Sequence, residues 1–241
     1  MILKLKTKYS QRDIEWAYKI LGFNPTGSKY TIGGYGCLIT CLCNYMNATG
    51  RDETPDTVNE KLKDGKGYTA GSGLLKWGEF LDIFDEEYVY TSPWFSNPLT
   101  DDVLMNMINW LNKGHCLVTE IDFDPILDGE QMHWILIIGI DDNGFVMHDP
   151  WTGETGNLDR YGDIRKAIYH YKVYSNTLEV EGESSLKDTE IDFDDYEGNR
   201  HTVGWYVYEW ANEKKNNKDD SWSELFEAIG EVLNKWLKEQ S

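Results

Sequence analysis

Three residues of different chemistry stand at the ends of recognisable elements in this chain: Cys37, His133 and Asp149. A thiol in the first turn of a helix lies at the positive end of the helix dipole, which favours the thiolate, its nucleophilic form. An imidazole can take the thiol's proton, and a side-chain acceptor can hold that imidazole in one orientation. Such a trio would break an amide bond through an acyl-thioester. Each residue has an ordinary reading too. A cysteine near a helix start is often a packing residue, and a histidine before an apolar run often only opens a strand. Their order, each at an element end, is what points to catalysis.

The elements that must position them can be read from periodicity. Gly33, Gly34 and Gly36 precede Cys37 and read as a loop, because glycine reaches backbone angles that other residues avoid. Leu38, Ile39, Leu42, Tyr45 and Met46 follow at the spacing of one helix face, which predicts a core helix from Cys37 to about Ala48, stopped by Gly50. Met132 to Ile140 is an apolar strand suited to the middle of a sheet, with His133 near its start. Asp141-Asp-Asn-Gly144 is a hairpin turn, and Phe145 to Asp149 is the returning strand. From the turn's centre near Asn143, His133 lies ten residues away and Asp149 six, so a small bulge or offset is needed to bring them together.

Around this centre, Ser10 and Asp13 resemble a cap for a short helix that Gly22 ends. Thr54 and Pro55 open a helix to Leu62, Gly71 to Phe80 reads as another, and Asp101 to Asn112 is clearly amphipathic. His115 to Ile121 and Tyr169 to Tyr174 read as strands. Helices first and an antiparallel sheet afterwards give an α+β arrangement. Beyond it the composition shifts. Residues 179–241 hold 17 acidic against 7 basic residues, net −10. There Thr202 to Trp210 alternates like a strand, Asn212 to Asp220 is a polar linker, and Ser221 opens an amphipathic helix to about Glu239 that docks on its own domain or on another chain. The domains expected are residues 1–178 and an acidic, aromatic extension over 179–241.

Composition limits the partners. A formal net charge of −19 argues against nucleic acid and against an anionic membrane. Four cysteines are too few for a disulfide scaffold, and Cys41-Leu-Cys43 lacks the gap of a zinc knuckle, so neither metal nor cofactor is expected. Asp188, Glu190, Asp192 and Asp194 alternate but lack the glycine and spacing of a calcium loop; a solvated acidic face is the simpler reading. His148 is turned by alternation to the face opposite Asp149, and His115, His170 and His201 read as solvent-facing. No secretion signal or membrane-length apolar run is visible, so synthesis in the cytoplasm is expected.

Gly36-Cys37-Leu-Ile-Thr, His133-Trp-Ile-Leu-Ile-Ile-Gly and His148-Asp149-Pro150-Trp-Thr-Gly153 resemble the three motifs of C39-like cysteine peptidases, which have a papain-like fold. Ser10 to Trp16 and Thr54 to Asn59 resemble a branch of that family common in bacteriophage and bacterial proteins. The resemblance covers about Tyr9 to Tyr174 and implies Cys37 as nucleophile, His133 as general base and Asp149 as orienter. One position departs from it. Family members that cleave leader peptides carry an oxyanion-hole glutamine six residues before the cysteine, where this chain has Thr31. The other candidate is Gln11, which reaches the site only if residues 12–36 fold back as an insertion. The backbone N–H of Cys37 is a further donor. The resemblance implies a peptidase acting on protein or on cell-wall peptide, as a phage lysin or virion-associated enzyme. The alternative is a module of the same fold that binds peptide without cutting it.

Overall fold

The computed structural model describes residues 1–95, 98–127 and 131–180. The predicted strand, linker and helix of the extension, His201 and the alternating acidic residues from Asp188 lie outside the described residues. Within them the chain forms α1 (Ile32–Tyr35), α2 (Cys37–Ala48), α3 (Pro55–Asp64), α4 (Trp77–Phe84), β1 (Tyr88–Thr91), α5 (Asp101–Asn112), β2 (Leu117–Asp122), β3 (Met132–Asp141), β4 (Gly144–Asp149), β5 (Glu154–Asn157), a 3₁₀ helix (Leu158–Tyr161), α6 (Ile164–Ala167) and β6 (Ile168–Tyr174). The six strands make one antiparallel sheet in the order β1-β6-β2-β3-β4-β5. This is the α+β arrangement expected of helices that precede a sheet. No helix among the described residues is long and apolar enough to cross a membrane.

The middle of the sheet is covered on both faces, so β2 and β4 are buried along their whole length and β3 along most of it, and β3 reads as a largely continuous apolar run rather than an alternating one. Tyr171 and Tyr174 lie three apart on β6 and so point to opposite faces. Tyr171 donates its hydroxyl to Asn106 of α5 at 2.7 Å, while Tyr174 stacks on Tyr45 of α2 with ring centroids 4.8 Å apart. Helix α2 is buried from Ile39 to Asn47, on every side, as a central helix must be. Within it the side chain of Asn44 is matched: it accepts from the Tyr9 N–H at 2.9 Å and donates to the Tyr9 carbonyl at 3.2 Å. That clamp ties the N-terminal segment to the helix that carries Cys37.

Several elements differ from the sequence reading. Residues 10–22 form turns instead of a helix. Ala17 and Lys19 give their carbonyls to the N–H groups of Gly33 and Ile32, and Leu21 donates to Tyr30, so this stretch pairs with the segment before Cys37. The Ser10 hydroxyl accepts from the Arg12 N–H at 3.1 Å as a cap would, but no helix follows, and the same hydroxyl donates to the Pro150 carbonyl at 3.1 Å. The helix expected at 71–80 starts at Trp77, because Tyr68 and Leu75 bridge first and Gly71 takes a positive φ of 72°. The short edge strands β1 and β5 carried too few alternating residues to be read. His170 is buried rather than solvent-facing, stacked on Trp94 at 5.2 Å, and burial pushes its pKa down to about 4. His115 is half-buried with Nδ1 2.9 Å from the Tyr174 carbonyl. Next to the expected limit at residue 178 the chain is bonded to the N-terminal segment. The Lys4 N–H donates to the Glu179 carbonyl at 2.6 Å and Leu3 bridges Val180.

Candidate active site

The approach to Cys37 is a single helical turn, α1, capped by Thr31, whose hydroxyl accepts from the Gly34 N–H at 3.2 Å. The glycines are not there for left-handed angles, since none of Gly33, Gly34 and Gly36 has a positive φ. Two of them are there for closeness. A Cβ on Gly33 would stand 2.8 Å from the Cβ and the carbonyl oxygen of Ala17, and one on Gly36 would stand 2.5 Å from the Ile32 carbonyl oxygen. Position 31 thus serves as a cap, and the turn it caps delivers Cys37 to the first position of α2. Gly36, at the N-cap of α2, offers no side-chain acceptor. First-turn N–H groups have no intrahelical partner, so the Cys37 N–H points out of the helix end with nothing from the cap to satisfy it.

His133 and Asp149 come together through the hairpin. The ladder pairs Leu136 with His148 and shifts register between Ile137 and Gly139, which supplies the offset that residue counting requires. Continuing that register puts Asp149 opposite Ile135, on the same face as His133 and one diagonal step away. The His133 Nε2 and Asp149 Oδ1 are 2.9 Å apart, with both residues buried. This leaves Nδ1 free of Asp149, and the neighbouring Cys37 thiol is near enough to act on the His133 ring. Cys37 itself is only half-buried, whereas Cys41, Cys43 and Cys116 are enclosed. His148 faces away, as alternation requires, with Nε2 3.1 Å from the Tyr9 carbonyl.

The charges follow from these contacts. Burial alone would lower the His133 pKa, but the hydrogen bonds to Asp149 and Cys37 outweigh it and raise it to about 9. Burial would raise the Asp149 carboxyl, yet the donors His133 and Tyr161 hold it below the usual carboxylate range. Burial pushes the thiols of Cys41, Cys43 and Cys116 up, so these three stay protonated. An imidazole flanked by a thiol and a carboxylate can take the thiol's proton, giving an imidazolium beside a thiolate, and can later return that proton to a leaving amine.

Gln11 joins the same locality, buried to 1 % exposure. Its backbone N–H donates to the Pro150 carbonyl at 2.7 Å, next to Asp149, and its side-chain Nε2 donates to the Gly33 carbonyl at 3.1 Å, ahead of Cys37. Residues 12–36 do fold back, through the paired carbonyls of Ala17 and Lys19. An amide nitrogen has two donor hydrogens, and Gly33 uses one. The Gln11 Oε1 is buried without a hydrogen-bond partner.

Sequence reasoning missed the far side of Asp149. Tyr161 donates its hydroxyl to Oδ2 at 2.7 Å, and an Arg160 guanidinium nitrogen lies 3.6 Å from the same oxygen. The Trp151 N–H donates to Oδ1 at 2.9 Å. No spacing in the sequence signals Tyr161, because it arrives by the return of the 3₁₀ helix onto β4. Among the described residues no group of three His, Cys, Asp or Glu side chains could hold a metal ion.

Compared with known proteins, the chain matches the model of the Peptidase_C39 like family over residues 9–179. No curated protein and no solved structure matches it.

Proposed function

The chain belongs to the Peptidase_C39 like family, and from that premise we propose that it is a cysteine peptidase that uses Cys37, His133 and Asp149. The carrying observation is the contact of a half-buried thiol at a helix start with a histidine whose other ring nitrogen is 2.9 Å from a buried carboxylate. In this reading His133 Nδ1 holds the proton from Cys37, and the thiolate attacks the amide carbon. The oxyanion is met by the Cys37 N–H and by the second Nε2 hydrogen of Gln11. His133 returns its proton to the leaving nitrogen as the C–N bond breaks, leaving an acyl-thioester on Cys37. Water, losing a proton to His133, then releases the acid and the free thiol. Asp149 keeps the ring turned so that Nδ1 faces the sulfur throughout.

We assign the substrate as an amide bond of a protein or of bacterial cell-wall peptide, and the biological setting as a phage or bacterial lytic or virion enzyme. The motif resemblance supports that setting. The domain that does this work we place at residues 1–180.

A test of the chemistry needs no substrate. Iodoacetamide at about pH 6, where an ordinary thiol is mostly protonated, should label Cys37 almost alone. His133→Ala should slow that reaction sharply and leave Cys116 as it was. With a fluorogenic peptide library, Cys37→Ser should abolish turnover. Equal labelling of all four cysteines, or a Cys37 rate indifferent to His133, would overturn the peptidase reading in favour of a peptide-binding module.

A further inference from the structure

The carboxylate of Asp149 is 1 % exposed, so donors from the protein must take the place of water at both of its oxygens. Oδ1 is shared by His133 Nε2 and the Trp151 N–H, each at 2.9 Å. Oδ2 receives the Tyr161 hydroxyl at 2.7 Å, while Arg160 approaches it only to 3.6 Å, an ion-pair contact longer than a hydrogen bond. Without the phenol, Oδ2 would keep only that loose contact. The carboxylate could then rotate about its Cβ–Cγ bond and carry Oδ1 off the His133 nitrogen. Tyr161 also touches the base directly, its ring meeting the imidazole edge-on with centroids 6.0 Å apart. Leu158, fully buried, anchors the 3₁₀ helix that holds it there.

We propose that Tyr161 and Arg160 are positioning residues of the His133–Asp149 pair, the phenol fixing the carboxylate's rotation and the guanidinium adding an exposed cation to the same oxygen. This rests on the peptidase reading of Cys37, His133 and Asp149. A buried phenol commonly finds a partner for its hydroxyl, and that role alone would leave the reacting groups indifferent to its loss. The two roles therefore separate in a variant that keeps the ring. The other titratable groups that feel Asp149 are the enclosed Cys41 thiol, which also acts on Tyr161, and His148 on the opposite face.

The test follows the rate of Cys37 alkylation with pH in the full chain, together with the melting temperature at each pH. Tyr161→Phe should lower the rate roughly tenfold near about pH 5 and much less near about pH 8, because a carboxylate with one donor fewer takes up a proton sooner and releases the imidazole. Arg160→Gln should move the profile less and in the same direction, high salt should reproduce its effect in the unaltered chain, and Arg160→Lys should restore the profile. A Tyr161→Phe profile that superimposes on the original, or is scaled equally at every pH, overturns the proposal. Should Tyr161→Phe not fold, the Arg160 variants decide: a glutamine profile identical to the original overturns it. If the unaltered chain is labelled without regard to His133, it is the peptidase reading that has failed, and that outcome is visible before any Tyr161 variant is made.

Discussion

The side-chain amide of Gln11 donates to the carbonyl of Gly33 at 3.1 Å, so a residue far upstream in the chain is bonded to the turn that delivers Cys37. Its neighbour on the other side is the Pro150 carbonyl, which accepts from the Gln11 backbone N–H. The glutamine therefore bridges the two segments that carry Cys37 and Asp149. Its unpartnered, buried Oε1 costs stability, a cost more usual at functional sites than in ordinary cores.

If the second Nε2 hydrogen meets the oxyanion, Gln11→Ala should reduce kcat by roughly 10²–10³, the effect of losing one such donor. Alkylation of Cys37 should be little changed, because the thiol and imidazole remain. An equal loss in both measurements would show that Gln11 only braces the turn at Gly33.

The pH dependence of stability has two limbs. The His133 pKa is raised from 6.5 to about 9 in the folded chain, so its contribution is complete below the unfolded value and is lost as pH rises through about 9. A shift of that size corresponds to roughly 3 kcal/mol. The Asp149 pKa is lowered, so its contribution is present above the unfolded carboxylate value and is lost as pH falls through the folded one. Melting temperature should therefore decline on the alkaline side between about pH 6.5 and 9. In His133→Ala that decline should flatten. A decline of unchanged size would mean that another group carries it.

Asp149→Asn should lower turnover by orders of magnitude, about 10⁴ where a serine-protease triad suffers the same change. Circular dichroism should show a retained fold. Unaltered turnover would reduce Asp149 to a residue that shapes the turn before Pro150, where it already accepts from the Trp151 N–H.

The glycines before Cys37 should differ in tolerance. Gly33→Ala forces a methyl against Ala17 at 2.8 Å and Gly36→Ala against the Ile32 carbonyl at 2.5 Å, whereas at Gly34 the nearest atom is 3.3 Å away. The first two should each cost about 1–3 kcal/mol by urea unfolding. Gly34→Ala should cost markedly less. Equal costs at all three positions would return the glycines to the role of a flexible loop.

The domain limit is open to a truncation test. A chain ended after Val180 should melt as the full chain does, because it keeps the Lys4–Glu179 hydrogen bond and the Leu3–Val180 bridge. One ended after Tyr174 should lose stability, since it also removes Leu178, which is buried and donates its N–H to the Gly114 carbonyl at 2.7 Å. If the chain ended after Val180 is molten, residues beyond it belong to the core.

The sequence alone determined those features that a local pattern can encode. Helix α2 followed from the spacing of Leu38, Ile39, Leu42, Tyr45 and Met46, α3 from Thr54 and Pro55, and the β3–β4 hairpin from an apolar run and a tight turn. Residue counting across that hairpin even required a register shift, which falls between Ile137 and Gly139. Such signals are legible because the interactions behind them span a few residues. Tertiary structure decided the rest. Residues 10–22 carried a plausible cap, but their carbonyls bond to Gly33 and Ile32, so a long-range pairing displaced a marginal helix. His170 lost its solvent to Trp94, and Tyr161 reached Asp149 through a returning 3₁₀ helix that no periodicity records. Gln11 had a residue type suited to an oxyanion hole, but its place between Gly33 and Pro150 depends on a fold-back of the intervening chain. Contacts between residues distant in sequence leave no local pattern, because burial and the packing of separate elements set them.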